Sequence, residues 1–484
     1  MSDNLSAPPV AAAADPASGP VPPRQTARGG ARMDLTHGPI ARTLMVFALP
    51  TLASNILQTL SGSINAMWVG QFLGEGALAA TANANIIMFL MFAAFFGFGM
   101  AATVLIGQAM GRGDIDAARR ASGGAIGLAL AFSVLIAVIG WFASDAILRW
   151  LQTPAEAFAL AHDYLRVTFI AVPASMLTVM LMMASRGAGD AVTPLRFMML
   201  AVALDVVFNP VLILGLGPFP RLGIAGSALA SAVAGTISLI AMIAWFYKKD
   251  HVLRLSVREL SYLWPSAGEL RFILGRGLPM GAQMLVISGA GLVMVGLVNR
   301  EGLVMAAAYG ATLQLWNYIQ MPALAVGAAV SAMAAQNIGA GRWDRVTHVT
   351  NSAMLINLAM TGALIALLLL FDRAALALFL GSESPAIAVS RHIQYIATWT
   401  FLPFGTMIVL ISTLRANGSV IPPLIIVAVS MFPIRLGIYW LGYPALGSDS
   451  IWWSFPLSST AALAMAWAVY RHGGWRRPMP QPAL

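Results

Sequence analysis

Twelve apolar runs, each as long as or longer than the ~20 residues a helix needs to cross a bilayer core, follow one another along the chain. They lie at roughly 40–69, 77–109, 121–144, 160–184, 195–217, 223–247, 278–299, 303–338, 349–371, 389–414, 420–443 and 450–470. Only 10% of the 484 residues are charged, against about 25% in an ordinary soluble domain, so the chain has too little polarity to build a normal water-facing surface. Its solvent is lipid, and the expected fold is an all-α integral membrane protein of twelve transmembrane helices.

The twelve runs divide into two repeats. RGAGDAVTP, from Arg186 to Pro194, matches RANGSVIPP, from Arg415 to Pro423, at an offset of 229. Pro50 and Pro279 open spans 1 and 7, Pro173 and Pro403 sit in spans 4 and 10, and MGRGD at 110 pairs with IGAGR at 338. Six is an even number, so both halves enter the membrane from the same side. Two six-helix bundles are therefore expected, related by a pseudo-twofold axis along the membrane normal with a cleft between them. The expected units are a disordered cytoplasmic tail (1–36), an N-lobe of spans 1–6 (37–247), a cytoplasmic linker (248–276), a C-lobe of spans 7–12 (277–472) and a loose cytoplasmic tail (473–484). The first tail, rich in Ala, Pro, Gly and Ser, has no continuous apolar core like that of a signal peptide.

The formal charge of +9 does not point to nucleic acid. The chain has two lysines, Lys248 and Lys249, and its arginines fall in short loops between apolar runs. Placing the N-terminus inside puts 21 of the 28 Lys and Arg on the cytoplasmic side, which predicts that both termini are cytoplasmic and the protein multi-pass in the plasma (inner) membrane. The absence of cysteine excludes a disulfide framework, a thiolate nucleophile and a Cys-based metal site. The six histidines fall in tails, loops or helix ends, which argues against haem or a buried metal; no cofactor is expected.

The stretch FALPTLASNILQTLSGSINAMWVGQFLG (47–74), followed by IGQAMGRGDIDAARRA, SRGAGDAVTP, LDVVFNPVLILGLG and YRHGGWRR, resembles the MATE (multidrug and toxic compound extrusion) family over nearly the whole chain outside the tails. The order, spacing and duplication of these segments carry the likeness, which is greatest to the DinF-like bacterial branch. The resemblance implies a monomeric antiporter that exchanges a cation, H+ or Na+, for small amphipathic, often cationic, compounds, with its cation site in the N-lobe. The family pattern has Asn and Asp one turn apart in span 5, where this chain carries Asp205 and Asn209 in exchanged order. Asn65 stands where the family has an aspartate in span 1, and Ser231 matches a hydroxyl position in span 6. The opposite lobe lacks the acids that another branch carries in spans 7 and 10.

The residues bear on this independently. Of 19 acidic residues, Asp205 alone lies well inside an apolar span, and a lone carboxylate there costs several kcal/mol unless neutralised or paired. It reads as a cation-coupling residue with Asn209, Asn65 and Ser231, or as a structural carboxylate capped by amides near Pro210. Asn55, Gln58 and Asn85 are candidate cavity residues of the N-lobe, although such asparagines also serve helix packing. Met284, Gln314, Asn317, Tyr395 and Trp399 are candidates in the C-lobe, with Gln283 and Trp316 beside them. Pro50 and Pro210 are helix kinks and candidate hinges. Arg435, with no acid at membrane depth in its own lobe, is expected near the outer surface or bound to carbonyls, with ligand contact the lesser alternative.

Competing functions are weaker. A flippase for a lipid-linked saccharide shares the two-lobe design but calls for a basic central cavity, to which only Arg435 could contribute. Gly187-Ala188-Gly189-Asp190 imitates the GxGD signature of intramembrane aspartyl proteases, yet Asp190 falls in a loop and its repeat mate is Ser419, whereas that chemistry needs two carboxylates sharing a proton. No GxxxxGK[ST] loop exists for a nucleotide-driven pump, and nothing resembles a selectivity filter.

Overall fold

The computed structural model describes residues 34–477 except 151, 152, 154 and 382, and omits the side chains of 75, 76, 78–80, 82–87, 90, 94 and 155–157. Among the described residues all regular structure is helical. The first half comprises α1 (Ile40–Leu73), α2 (Glu75–Arg112), α3 (Ile115–Trp150), α4 (Ala155–Gly187), α5 (Val192–Leu214) and α6 (Gly223–Lys248). The second comprises α7 (Ala267–Arg300), α8 (Leu303–Gly339), α9 (Trp343–Leu370), a short α10 (Asp372–Leu380), α11 (Ala386–Ala397) leading into α12 (Phe401–Ala416), α13 (Ile421–Val429) leading into α14 (Arg435–Leu446), and α15 (Asp449–His472).

Two spans are broken by proline. Pro403 lacks an N–H and crowds the carbonyl four residues back, and α11 passes into α12 through a 3₁₀ turn at Thr398–Thr400. Pro433 does the same between α13 and α14, where Ser430–Ile434 forms a π turn. With these pairs counted as single spans, eleven helices among the described residues are long and apolar enough to cross a membrane. The twelfth, α15, has 24 residues, about 36 Å at 1.5 Å per residue. Its composition is more polar because Ser450, Ser454 and Ser458 form a stripe at i, i+4 spacing that is turned into the protein and buried. Outside, Phe142, Trp150, Leu292 and Leu441 are each more than 70% exposed, a surface that suits acyl chains.

Several helices outrun the apolar segments that signal them. The linker expected at 248–276 is helical from Ala267, where Ser266 and Glu269 form a reciprocal capping box. The rest of it is docked on α3. Arg119 donates to the Val252 carbonyl and pairs with Glu259 at 2.9 Å, and the Tyr262 hydroxyl donates to Asp116. Gly123 and Gly127 admit this contact, since a Cβ at either would lie within 3 Å of the Tyr262 or Leu263 backbone.

The expected tails are ordered at their inner ends. Leu35 is fully buried, its carbonyl accepting from Asn337, while Arg342 donates to the Thr36 carbonyl and Arg345 to those of His37 and Gly38. This strap, just before α1, thus grips α8 and α9. Trp475 is likewise buried, stacked on Tyr470 at 5.4 Å with its indole donating to the Tyr470 carbonyl. Residues before 34 and after 477 lie outside the described residues.

The halves meet along α2 and α8, the most enclosed of the long helices. Gln108 at the end of α2 donates to the Ala416 carbonyl at 2.8 Å, and Gln336 at the end of α8 donates to the Gly187 carbonyl at 3.0 Å. Gly187 and Ala416 are 229 residues apart and the glutamines 228, so one interaction is made twice across the pseudo-twofold axis. Gly111 and Gly339 bring the two backbones together there, and Gly97 lets α2 cross α7 at Gly277 and Gly281. Every hydrogen bond between the lobes among the described residues lies at this arginine-rich face.

Candidate functional site: a polar cluster at mid-membrane

Asp205 sits thirteen residues from the start of α5 and nine from its end, about 20 Å and 14 Å along the axis. It is buried (5% exposed), and Asn209, one turn on, is fully enclosed. Gly226 permits α6 to lie against α5, since a Cβ there would come within 2.5 Å of the Leu212 carbonyl oxygen. That approach puts the Ser231 hydroxyl 2.7 Å from Asp205 Oδ1, which also accepts from Asn209 Nδ2 at 3.1 Å. Ser61 on α1 donates to Asp205 Oδ2 at 3.4 Å.

Asn65, one turn beyond Ser61, does not bond Asp205. Its Oδ1 accepts from Ser227 at 2.6 Å. The cluster therefore has two linked parts, one around Asp205 and one around Asn65, joined by the i, i+4 pairs Ser61/Asn65 and Ser227/Ser231. Ser61 and Ser227 went unnoticed in the sequence; their one-turn spacing from Asn65 and Ser231 makes them candidates, but spacing does not tell which hydroxyls bond across helices.

The chemistry suits a small cation. Asp205 supplies the negative charge and the only basic oxygens for H+, two hydroxyls adjoin it, and Asn209 Oδ1 is buried without a donor, an oxygen left free to ligate Na+. No group of three His, Cys, Asp or Glu residues that could hold a metal ion occurs among the described residues.

The other candidates are dispersed. Asn55 is half-buried and Gln58 exposed on α1, and no hydrogen bond among the described residues joins either to Asp205; Asn85 lies in α2 with its side chain among those omitted. In the C-lobe, Met284 is half-buried and Gln314 exposed, Asn317 accepts from Gln320 at 2.9 Å, and the Trp399 indole donates to the Tyr395 carbonyl at 3.0 Å. Gln283 is buried and accepts from Arg415, and Trp316 is buried with its indole on Thr398. Pro50 and Pro210 lie inside α1 and α5.

Arg435 corrects its expectation. The α13–α14 span runs from Ile421 to Leu446, which puts Arg435 near mid-depth. It is 7% exposed, and its Nε donates to the Ser458 hydroxyl at 3.0 Å.

Asp190, outside the spans, heads α5. Its Oδ1 accepts the Val192 and Thr193 N–H groups, its Oδ2 the Thr193 hydroxyl, and His251 of the linker stands 3.6 Å away. Burial pushes its carboxyl up, but the bonds from His251 and Thr193 outweigh this and hold it below the usual aspartate range.

Comparison with known proteins agrees with this architecture. The MatE family profile matches residues 50–211 and again 279–441. The chain is 31% identical over 451 residues to the probable multidrug resistance protein YpnP of Bacillus subtilis, covering 92% of this chain and 97% of that one. It is 30% identical over 432 residues to the probable multidrug resistance protein YoeA of the same organism, covering 89% and 93%. An outward-facing multidrug resistance MATE family transporter of the MOP superfamily superposes with a TM-score of 0.84 at 21% identity, over 92% of this chain and 98% of that one. With both halves matched by one family and relatives aligned from end to end, this multi-pass membrane protein of two six-helix bundles belongs to the MATE family of multidrug efflux transporters.

Proposed function

We propose that the protein exports small amphipathic, mainly cationic compounds by antiport against H+ or Na+, alternating access between the two faces of the membrane. The observation that carries this reading is the Asp205 cluster, a carboxylate at mid-depth in α5 with hydroxyl and amide partners drawn from α1, α5 and α6. In the inner membrane of a bacterium the arginine-rich face is cytoplasmic and both termini are inside. On this reading the bonds between the lobes seal the cytoplasmic side, and the protein works as a monomer that is open outward in this state.

In this state the cation enters from outside and neutralises Asp205. Its charge no longer has to be held against desolvation, and α1, α5 and α6 repack around the kinks at Pro50 and Pro210. Substrate leaves if its affinity differs between the two arrangements, which coupling requires.

The test is gradient-driven export of a fluorescent cation by reconstituted Asp205→Asn protein, under a proton gradient and then a sodium gradient. The amide is nearly isosteric, so the variant is expected to insert and fold but to lose coupled export of every substrate. Export at the normal rate with its normal ion dependence would make Asp205 a structural residue.

A further inference from the structure

The C-lobe carries a counterpart of the Asp205 site with the charge reversed. The repeats correspond at an offset of 229 as far as Pro194 and Pro423 and at 230 where the family matches end, so the mate of Asp205 falls at Ile434 or Arg435. Asp205 lies on the fifth span of its half and accepts from Ser231 on the sixth; Arg435 lies on the fifth span of the other half and donates to Ser458 on the sixth.

The surroundings differ as the charge does. The guanidinium carbon lies 4.5 Å from the Phe455 ring centroid, and Phe455, Trp316 and Tyr309 pack on one another with centroids 5.4–6.4 Å apart. No carboxylate among the described residues pairs with Arg435. Its Nε is committed to Ser458, while Nη1 and Nη2 make no hydrogen bond to any described residue. A guanidinium at mid-depth with neither acid nor carbonyl partners costs several kcal/mol, and the free pair of terminal nitrogens is the fork that binds two anionic oxygens at once.

We propose that Arg435 is the anion-binding residue of a second ligand subsite, which takes an aromatic compound bearing a carboxylate, phosphate or sulfonate. The anionic group pairs with Nη1 and Nη2, and the ring packs against the Tyr309, Trp316 and Phe455 cluster. The proposal extends the export reading to anionic and zwitterionic aromatic substrates, and holds whichever ion couples.

Two xanthene dyes with similar rings and opposite charge, fluorescein and rhodamine 6G, test it by equilibrium fluorescence polarisation on purified full-length protein. Fluorescein should bind the wild type, and Arg435→Gln should weaken it at least tenfold while leaving rhodamine 6G within about twofold. Arg435→Lys keeps the charge but not the fork and should fall between. Absence of fluorescein binding by the wild type, or equal binding by the wild type and either variant, overturns the proposal. Should Arg435→Gln fail to fold, the wild-type and Arg435→Lys measurements decide it alone. Gradient-driven export by Asp205→Asn tests the export reading separately, since the fluorescein measurements compare the wild type with the Arg435 variants at equilibrium and without a gradient.

Discussion

Replacing Gly111 by alanine should drive the lobes apart at the arginine-rich face. A Cβ at this position would lie 1.9 Å from the Gln336 carbonyl oxygen of α8 and 3.0 Å from the Ala340 nitrogen, whereas carbon and oxygen rest at about 3.3–3.6 Å. Backbone atoms cannot rotate away as a side chain can, so α2 and α8 must separate by roughly 1.5 Å. Such overpacking costs about 1–3 kcal/mol, and the same displacement stretches the bonds made by Gln108 and Gln336, each contributing about 0.5–1.5 kcal/mol. The gain in helix propensity from Gly to Ala, about 1 kcal/mol, is common to both conformations and cancels in their ratio. A bias of about 2–4 kcal/mol shifts the population ratio roughly 30-fold to 1,000-fold towards the state open at this face.

The chain has no cysteine, so spin labels can be placed at Arg112→Cys and Asp344→Cys, both exposed at this face, without altering the background. Double electron–electron resonance should show a longer-distance population becoming dominant in Gly111→Ala. Gly310→Ala is the control, because a Cβ there meets nothing within 4 Å. A folded Gly111→Ala protein whose distance distribution superposes on that of its parent would refute the assignment of this contact as the seal.

Two further expectations concern the same face. Asp190→Ala removes the acceptor of two N–H groups at the head of α5 and should cost about 1–2 kcal/mol; because folding depresses this carboxyl, its contribution is complete above about pH 4 and disappears as pH falls through the folded value. Thermal unfolding of wild type and variant should therefore converge in acid, and a gap independent of pH would contradict this. Arg342→Ala with Arg345→Ala frees the strap, and hydrogen exchange at Leu35–Gly38 should accelerate about tenfold or more, since bonds to charged donors contribute about 1.5–3 kcal/mol when buried and less at this partly exposed site; unchanged exchange would show that Asn337 holds the segment unaided.

The architecture was legible because length and duplication are written in the chain: each span is an apolar run, and Arg186–Pro194 recurs as Arg415–Pro423. Boundaries were less so, since helices continue past the bilayer on ordinary capping signals such as Ser266 and Glu269. Asp205 and Asn209 could be paired from their one-turn spacing. Ser61 and Ser227 could not be singled out, because a hydroxyl in a membrane helix commonly bonds back to its own i−4 carbonyl, as Ser54, Thr59 and Ser63 do, and only the neighbouring helix decides which ones reach across. Arg435 was misplaced for a related reason. The partners considered in the protein were an acid and backbone carbonyls, whereas its partners are a serine and an aromatic face from a different helix.

The crossing of α2 over α7 behaves as a fulcrum. At Gly97 a Cβ would lie 2.2 Å from the Gly277 carbonyl oxygen, so nothing compressible separates the two backbones there. Gly97 lies 15 residues from the Arg112 end of α2 and 22 from the Glu75 end, which gives lever arms of about 22 Å and 33 Å. A rigid rocking about this point magnifies movement by half again on its way across the membrane: a gap of about 6 Å opened at the arginine-rich face swings the opposite end of α2 through about 9 Å. The short arm carries the clasp and the long arm the larger swing, so a small release at the arginine-rich face becomes a wide movement at the opposite one.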